Sequence, residues 1–518
     1  MPSIRFRMRQ SRRRLTSFSL AAGLLWAFPA LAGDKPATPE GADALRALIA
    51  KYLPAAQAGA TPLVTVKPDG AHYLVSADLS ALNALLAETG ISYDPAVITY
   101  QAIEQDDGNW RVSMDSLPRI GFHSKDATGA IELTNFRSSA LISPAIAWLL
   151  SGSANIDKGT FQVQNPKITQ TIDFGPVQET IATNVGGDGS VSTQVKEEIA
   201  ELGLKAVGAG DNETPINFSG RAEKALISLG VDGFKSRKAF DLWGLLAAHP
   251  ARADLAGHEA EFKGLLKELA APGLKLDEGI EAQKTVITTS LGAIAVGDFK
   301  YQLGAANAGP QSAIDLSVSA DGLSLPVGLL PPNAGALTPN KIDISAKLKG
   351  IDISAAANEW ISDLSLQGDG PLLSDDNAAK VEAAFISSGP VQIEFAPSHL
   401  VAPAVDADLD GLIRLDHNKP TAAITIHARS FDKTMAAVKD LGPDIAGRAM
   451  PGLALAKGLA KSESDGSLSW LVELDAERSI KINGIPFGNA PQYAAGPREV
   501  RNATRRANRL QIKARKTK

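Results

Sequence analysis

The chain has 518 residues, no cysteine, and 57 acidic against 52 basic residues, for a net charge of −5. Without cysteine there can be no disulfide, thiolate metal centre, iron–sulfur cluster, cysteine nucleophile or lipidated lipoprotein cysteine. Six basic residues in 1–32 and nine in 498–518 concentrate positive charge at the two ends, which leaves a strongly acidic body and argues against nucleic acid as a partner.

Arg5, Arg7, Arg9, Arg12, Arg13 and Arg14 precede an apolar run from Leu20 to Phe28, and Ala30 and Ala32 supply small residues at a cleavage site. This is the pattern of a signal peptide over residues 1–32, with Gly33 as the mature N-terminus. The run is well short of the ~20 apolar residues of a spanning helix. No later segment reaches that length, so the expectation is a periplasmic protein with no transmembrane helix after cleavage. Ser11-Arg12-Arg13-Arg14-Leu15 matches part of the twin-arginine pattern, so both the general and the twin-arginine export routes stay open.

Residues 33–60 read as a Pro-rich lead-in and one helix, Ala42 to Leu53, with Leu45, Leu48, Ile49 and Tyr52 on one face and Pro54 as its stop. Residues 61–272 form an N-terminal β-rich region. Pro62–Lys67 and Ala71–Ala77 flank a Pro68-Asp69-Gly70 turn, which predicts a hairpin. The device recurs: Val97–Gln101 and Trp110–Met114 flank Asp106–Asn109, and Thr180–Val185 and Ser190–Val195 flank Gly186–Gly189. Gly129 to Thr134 alternates cleanly. Lys238–Ala248 and Ala253–Leu269 predict a helical hairpin broken at Pro250.

Residues 273–490 form a C-terminal β-rich region with helices. Thr285–Ser290 and Ala293–Leu303 continue the strand pattern, Ser374 is the expected N-cap of a helix to Ile386, and Phe431–Leu441 and Ala446–Leu459 form a helical pair. Ile314–Ser317 followed by Gly322–Leu325 is echoed by Ile342–Ser345 followed by Gly350–Ile353. A duplicated strand unit and a chance likeness of amphipathic hairpins explain this echo equally well. Residues 491–518 lack apolar periodicity and read as a disordered basic tail. The fold class expected from all this is α+β, a large, curved, mainly antiparallel sheet with short helices packed on or within it.

Gly-x-Ser-x-Gly, phosphate-loop, His-Glu-x-x-His and dinucleotide patterns are all missing, so no catalytic residue is assigned. One segment has the ligand types of a calcium loop. Asp406, Asp408 and Asp410 stand at alternate positions before Gly411, and a hard cation needs several oxygen ligands with glycine at the sharp turn. His417 stands where a bidentate glutamate belongs, and the same residues also read as an amphipathic strand with three aspartates in water. His249 and His258 lie nine apart, which is not a same-face helical spacing, and they read as surface residues.

The run Ala383–Ile393, the strands Asp408–Asp416 and Lys419–Ile426, the helical pair and the closing segments Leu468–Leu474 and Ile480–Gly488 together resemble a domain of unknown function in exported alphaproteobacterial proteins, a group similar in layout to AsmA-like envelope proteins. The resemblance covers about a fifth of the chain and implies a curved sheet with an apolar inner face, capped or filled by helices. It carries over no active-site residue. The expectation is therefore a non-catalytic envelope protein without a cofactor, calcium at the aspartate segment apart, holding lipid or acyl chains in an apolar groove. A structural or assembly module that binds another envelope protein is the alternative, and an exported hydrolase a third.

Overall fold

The computed structural model describes residues 36–53, 62–209, 215–368, 372–373, 375–386, 389–416 and 419–489. The expected signal peptide (residues 1–32), the expected basic tail, Ser374 and His417 lie outside the described residues. The described chain builds one open antiparallel sheet of 27 strands with helices along its margins, the α+β architecture expected.

The first strands are β1 (Val64–Asp69), β2 (His72–Asp78), β3 (Ser92–Tyr93), β4 (Val97–Glu104), β5 (Trp110–Met114) and β6 (Ile120–Ser124). Next come β7 (Ala127–Thr134), β8 (Arg137–Ser143), β9 (Trp148–Ile156), β10 (Lys158–Gln164) and β11 (Ile168–Phe174). They continue as β12 (Val177–Val185), β13 (Val191–Ile199), β14 (Leu202–Ala209), β15 (Pro215–Ala222) and β16 (Lys224–Phe234). The second half holds β17 (Lys275–Thr289), β18 (Gly292–Ala306), β19 (Ser312–Asp321), β20 (Lys341–Ile351), β21 (Val391–Ala402) and β22 (Val405–Asp416). It ends with β23 (Lys419–Ala428), β24 (Lys461–Ser462), β25 (Leu468–Leu474), β26 (Ser479–Ile482) and β27 (Ile485–Asn489).

The expected hairpins form. β1 pairs with β2, β4 with β5, and β12 with β13, and Gly70, Gly108 and Gly189 take the positive φ that these tight turns require. Pro68 and Asp69 belong to β1 itself, so the first turn is tighter than the sequence suggested.

From β5 to β16 the strands are halves of longer strands broken at one line. The breaks fall at Asn135-Phe136, Asp157, Gly175-Pro176, Ala200-Glu201 and Glu223, and residues 115–119 separate β5 from β6. On one side of the line the halves pair as β5-β8-β9-β12-β13-β16, and on the other as β6-β7-β10-β11-β14-β15. β17 joins the two wings, for Lys275–Gln283 pair with β16 and Val286–Thr288 with β15, while Lys284 between them sits at φ 48°. A single crease thus crosses the meander. The sheet then runs on through β18, β19, β20, β21, β22, β23, β25, β26 and β27, each antiparallel to the last, with β24 pairing beside β25. The two β-rich regions therefore meet as one continuous sheet at β16 and β17.

Each break at the crease adds one residue to the period-two alternation, as a bulge does. Ile156 and Gly159, Phe174 and Val177, Ile199 and Leu202, and Ala222 and Ala225 are consequently three apart yet on the same face. The apolar face stays on one side through the bend.

The helices are α1 (Pro39–Ala50), α2 (Leu82–Leu86), α3 (Ser236–Ala248), α4 (Arg252–Leu255), α5 (Glu259–Leu269), α6 (Ile353–Asp363), α7 (Asp375–Phe385), α8 (Phe431–Lys439) and α9 (Pro443–Leu459). Thr38 caps α1 by accepting from the Gly41 N–H, and Ala42, Leu45 and Ile49 of α1 pack on Val64, Val66, Tyr73 and Val75. The second arm of the helical hairpin is not one helix: a 3₁₀ turn at Ala256–His258 separates α4 from α5. Leu245, Leu255, Leu265, Leu364 and Leu366 bind α3, α4 and α5 to α6 and its following loop in a small core of their own.

Candidate functional site: an apolar trough along the crease

Val177, Ile199 and Ala225 lie side by side at the crease and are only 4, 7 and 3 % exposed. Ile156 and Ile227 of one wing and Phe174 and Leu202 of the other pack against them. Contact across the bend places the apolar face on its inner side. Exposure rises away from this floor to 43 % at Leu229 and 39 % at Leu204, and falls again at the far end of one wing, where Thr193 and Val191 are 5 and 0 % exposed. The crease is a trough with a packed floor and open walls.

The walls continue through the second half. Ile227, Ile280, Tyr301, Val318 and Ile344 stand opposite one another on successive strands, and so do Leu303, Leu316 and Ala346 on the next row. Ile344 is 50 % exposed and Leu316 41 %. The other side of these strands is polar: Ser228, Gly279, Gln302, Ser317 and Ser345 form one row, and Lys347 pairs with Asp315 at 2.8 Å. On that side Gly230 and Gly304 leave a separate hollow of about 390 Å³ among Gln194, Asp277 and Asp315.

The trough is closed at its N-terminal end, where α1 plugs it over β1, β2, β4 and β5 with Ile49 1 % exposed. Along one lip, Trp148 packs on Phe234 and on Phe240 of α3, and its indole N–H donates to Thr193 Oγ at 2.8 Å. Ser236 anchors the start of α3 by donating to the Ile146 carbonyl at 2.6 Å, and Trp243 donates to the Tyr52 carbonyl beyond α1. Near the C-terminal end, Trp470 packs on Phe431 and donates to the Ala456 carbonyl of α9, so α8 and α9 cover part of the face there.

Two ionisable groups break the apolar pattern near the floor. Glu179 on β12 and Glu197 on β13 are directly opposite, one step along their strands from Val177 and Ile199. Both are half-buried. Burial raises both carboxyls above the ordinary range, and Glu197 beside it raises Glu179 further. The sequence reading did not single out this pair, although a period-two register of these strands would have placed two glutamates on the apolar face.

Asp406, Asp408 and Asp410 all lie on the extended strand β22 rather than in a loop. Arg429 pairs with Asp406 at 2.7 Å and with Asp408, and His399 Nε2 lies 3.0 Å from Asp406. His399 foremost, then Arg429, hold the Asp406 carboxyl below the ordinary range. The positive charge near these carboxylates is thus supplied by the chain itself. His249 and His258 do come together, with rings stacked at 4.0 Å, because the chain reverses between α3 and α5. Among the described residues no three metal-ligating side chains converge, and no helix is long and apolar enough to cross a membrane.

The fold and the trough define an open, creased antiparallel sheet with one apolar and one polar face. Compared with protein-family models, curated proteins and solved structures, the chain matches none of them.

Proposed function

We propose that this protein is a non-catalytic component of the bacterial envelope, acting in the periplasm, and that its trough holds lipid acyl chains. The observation that carries the reading is the half-exposed apolar face that runs from the crease to Ile344. Uncovered hydrocarbon surface of this extent is unfavourable in water at about 25 cal/mol per Å². A hydrocarbon chain laid along the trough removes that cost, while the polar opposite face remains in water. The export pattern at the N-terminus and the resemblance to AsmA-like envelope proteins agree with this assignment.

The test is to purify the mature protein, Gly33 to Lys518, from its own periplasm and analyse an organic-solvent extract by mass spectrometry. Near-stoichiometric phospholipid or fatty acid is expected, and it should be lost when Leu229→Glu and Ile344→Glu are introduced together. Both positions are already half exposed, so folding should survive. An extract free of lipid from the native protein would remove the proposal.

A second reading rests on β27. Among the described residues it pairs on one side only, with β26, and Ile485 and Phe487 are 50 and 54 % exposed. Such an edge suits strand addition by another envelope protein. Cross-linking in cells would then yield one dominant adduct that disappears with Ile485→Lys and Phe487→Lys.

A further inference from the structure

Resting on the lipid-holding reading, we infer that Glu179 and Glu197 form a proton-controlled gate in the trough, which grips hydrocarbon when the pair is protonated and releases it when both carboxylates are ionised. The two stand opposite each other on neighbouring strands, where like charges destabilise a sheet. Their row across the sheet contains Ala154 on one side and Ile227, Ile280 and Tyr301 on the other. Along their own strands the same face holds Val177, Ile181, Val195 and Ile199, and across the crease it meets Phe174 and Leu202. None of these is charged at neutral pH. Lys196, Glu198 and Lys224 belong to the polar face, where Lys224 pairs with Glu198 at 2.6 Å. Two further carboxylates lie on this face: Glu278, beyond Leu229 on β17, is exposed, and Glu104, opposite Trp110 on β5, is buried at the distant plugged end. Neither Glu179 nor Glu197 has a hydrogen bond or ion pair to a described residue.

The consequences follow from charge and solvation. With both carboxylates ionised, the trough keeps water around two like charges beside its floor, and a hydrocarbon chain entering there must strip that water away. One proton taken up by the pair removes the repulsion, and a second removes the remaining desolvation penalty. Bound hydrocarbon and bound protons therefore favour each other, and lowering the pH loads the trough.

The direction can be checked on the protein alone. Both carboxyls lie above their unfolded values, so their stabilisation is present below the unfolded pKa and is lost as pH rises through the folded one. Glu179→Gln should therefore raise the melting temperature at neutral pH and leave it nearly unchanged in acid.

The deciding experiment titrates the full-length protein with pyrene-labelled lysophosphatidylcholine, whose own charge is constant over the range used. Between about pH 8 and about pH 5 the native protein should tighten by about tenfold, the change that corresponds to one pKa unit of coupling. The Glu179→Gln, Glu197→Gln double variant should bind tightly and equally at both ends. A double variant that keeps the native pH slope would overturn the gate, as would a neutral-pH melting temperature no higher than native. Native binding with no pH slope removes the gate but leaves the trough reading standing. Absence of binding by either protein at any pH removes both.

Discussion

Trp148 and Thr193 are joined across the lip of the trough by an indole N–H to hydroxyl hydrogen bond of 2.8 Å, and Thr183 meets the same hydroxyl at 2.9 Å. Thr193 is only 5 % exposed, so little water can replace it as a partner. Thr193→Val keeps the shape but leaves the indole N–H unpaired, which should cost about 1–3 kcal/mol. Urea unfolding would measure it. Adding Trp148→Phe should then cost less than it does in the native background, because it removes a donor that has already lost its acceptor; equal costs in both backgrounds would mean that the hydrogen bond contributes nothing.

The crease has its own steric signature at Gly159. A Cβ there would lie 2.1 Å from the Phe174 ring and 2.9 Å from Leu133, so the ring can cover the bend only because this residue has no side chain. Gly159→Ala should destabilise by about 1–3 kcal/mol, and near-ultraviolet dichroism should report a displaced Phe174. A neutral effect on both readouts would mean that the ring is not seated on the crease.

Much of this architecture can be read from alternation and turn residues. Val97–Gln101 and Trp110–Met114 around Asp106–Asn109 are enough to call a hairpin, because the pattern and the turn lie next to each other in the chain. The crease is not readable in the same way. Its residues at Asp157, Gly175-Pro176, Ala200-Glu201 and Glu223 look like ordinary loop positions, and only cross-strand pairing brings them into one line. The Glu179–Glu197 opposition is hidden for the same reason, since register is a property of two strands. Asp406–Asp410 is the converse case. Its local spacing fits both a cation loop and a strand, and the partner that decides their surroundings, Arg429, is distant in sequence.

Ile49 tests the plug at the closed end. It is 1 % exposed within the core that α1 forms with β1, β2 and β4. Ile49→Ala should cost about 2–5 kcal/mol, visible as a lower urea midpoint. If α1 serves as a cap rather than as part of the cooperative fold, the loss would instead appear as early proteolysis near residues 36–53 with the main transition unchanged.

Asp406 offers a pH test with the opposite sign to that of the glutamate pair. Its carboxyl is held low by His399 and Arg429, so its contribution is present above the unfolded pKa and is lost as pH falls through the lower folded value. The group is about a third exposed and the Arg429 side chain nearly half, so solvent screening limits the stabilisation to about 1 kcal/mol or less. Asp406→Asn should therefore lower the melting temperature slightly at neutral pH, by less in high salt, and not at all once the native carboxyl is protonated in strong acid. The salt dependence separates this from a packing defect, because lost packing would persist at every ionic strength. Arg429→Ala should cost more than Asp406→Asn, since it leaves Asp406 and Asp408 facing each other without their shared cation. If the two variants are equally stable at neutral pH and indifferent to salt, the pairing on β22 is geometry without energetic weight.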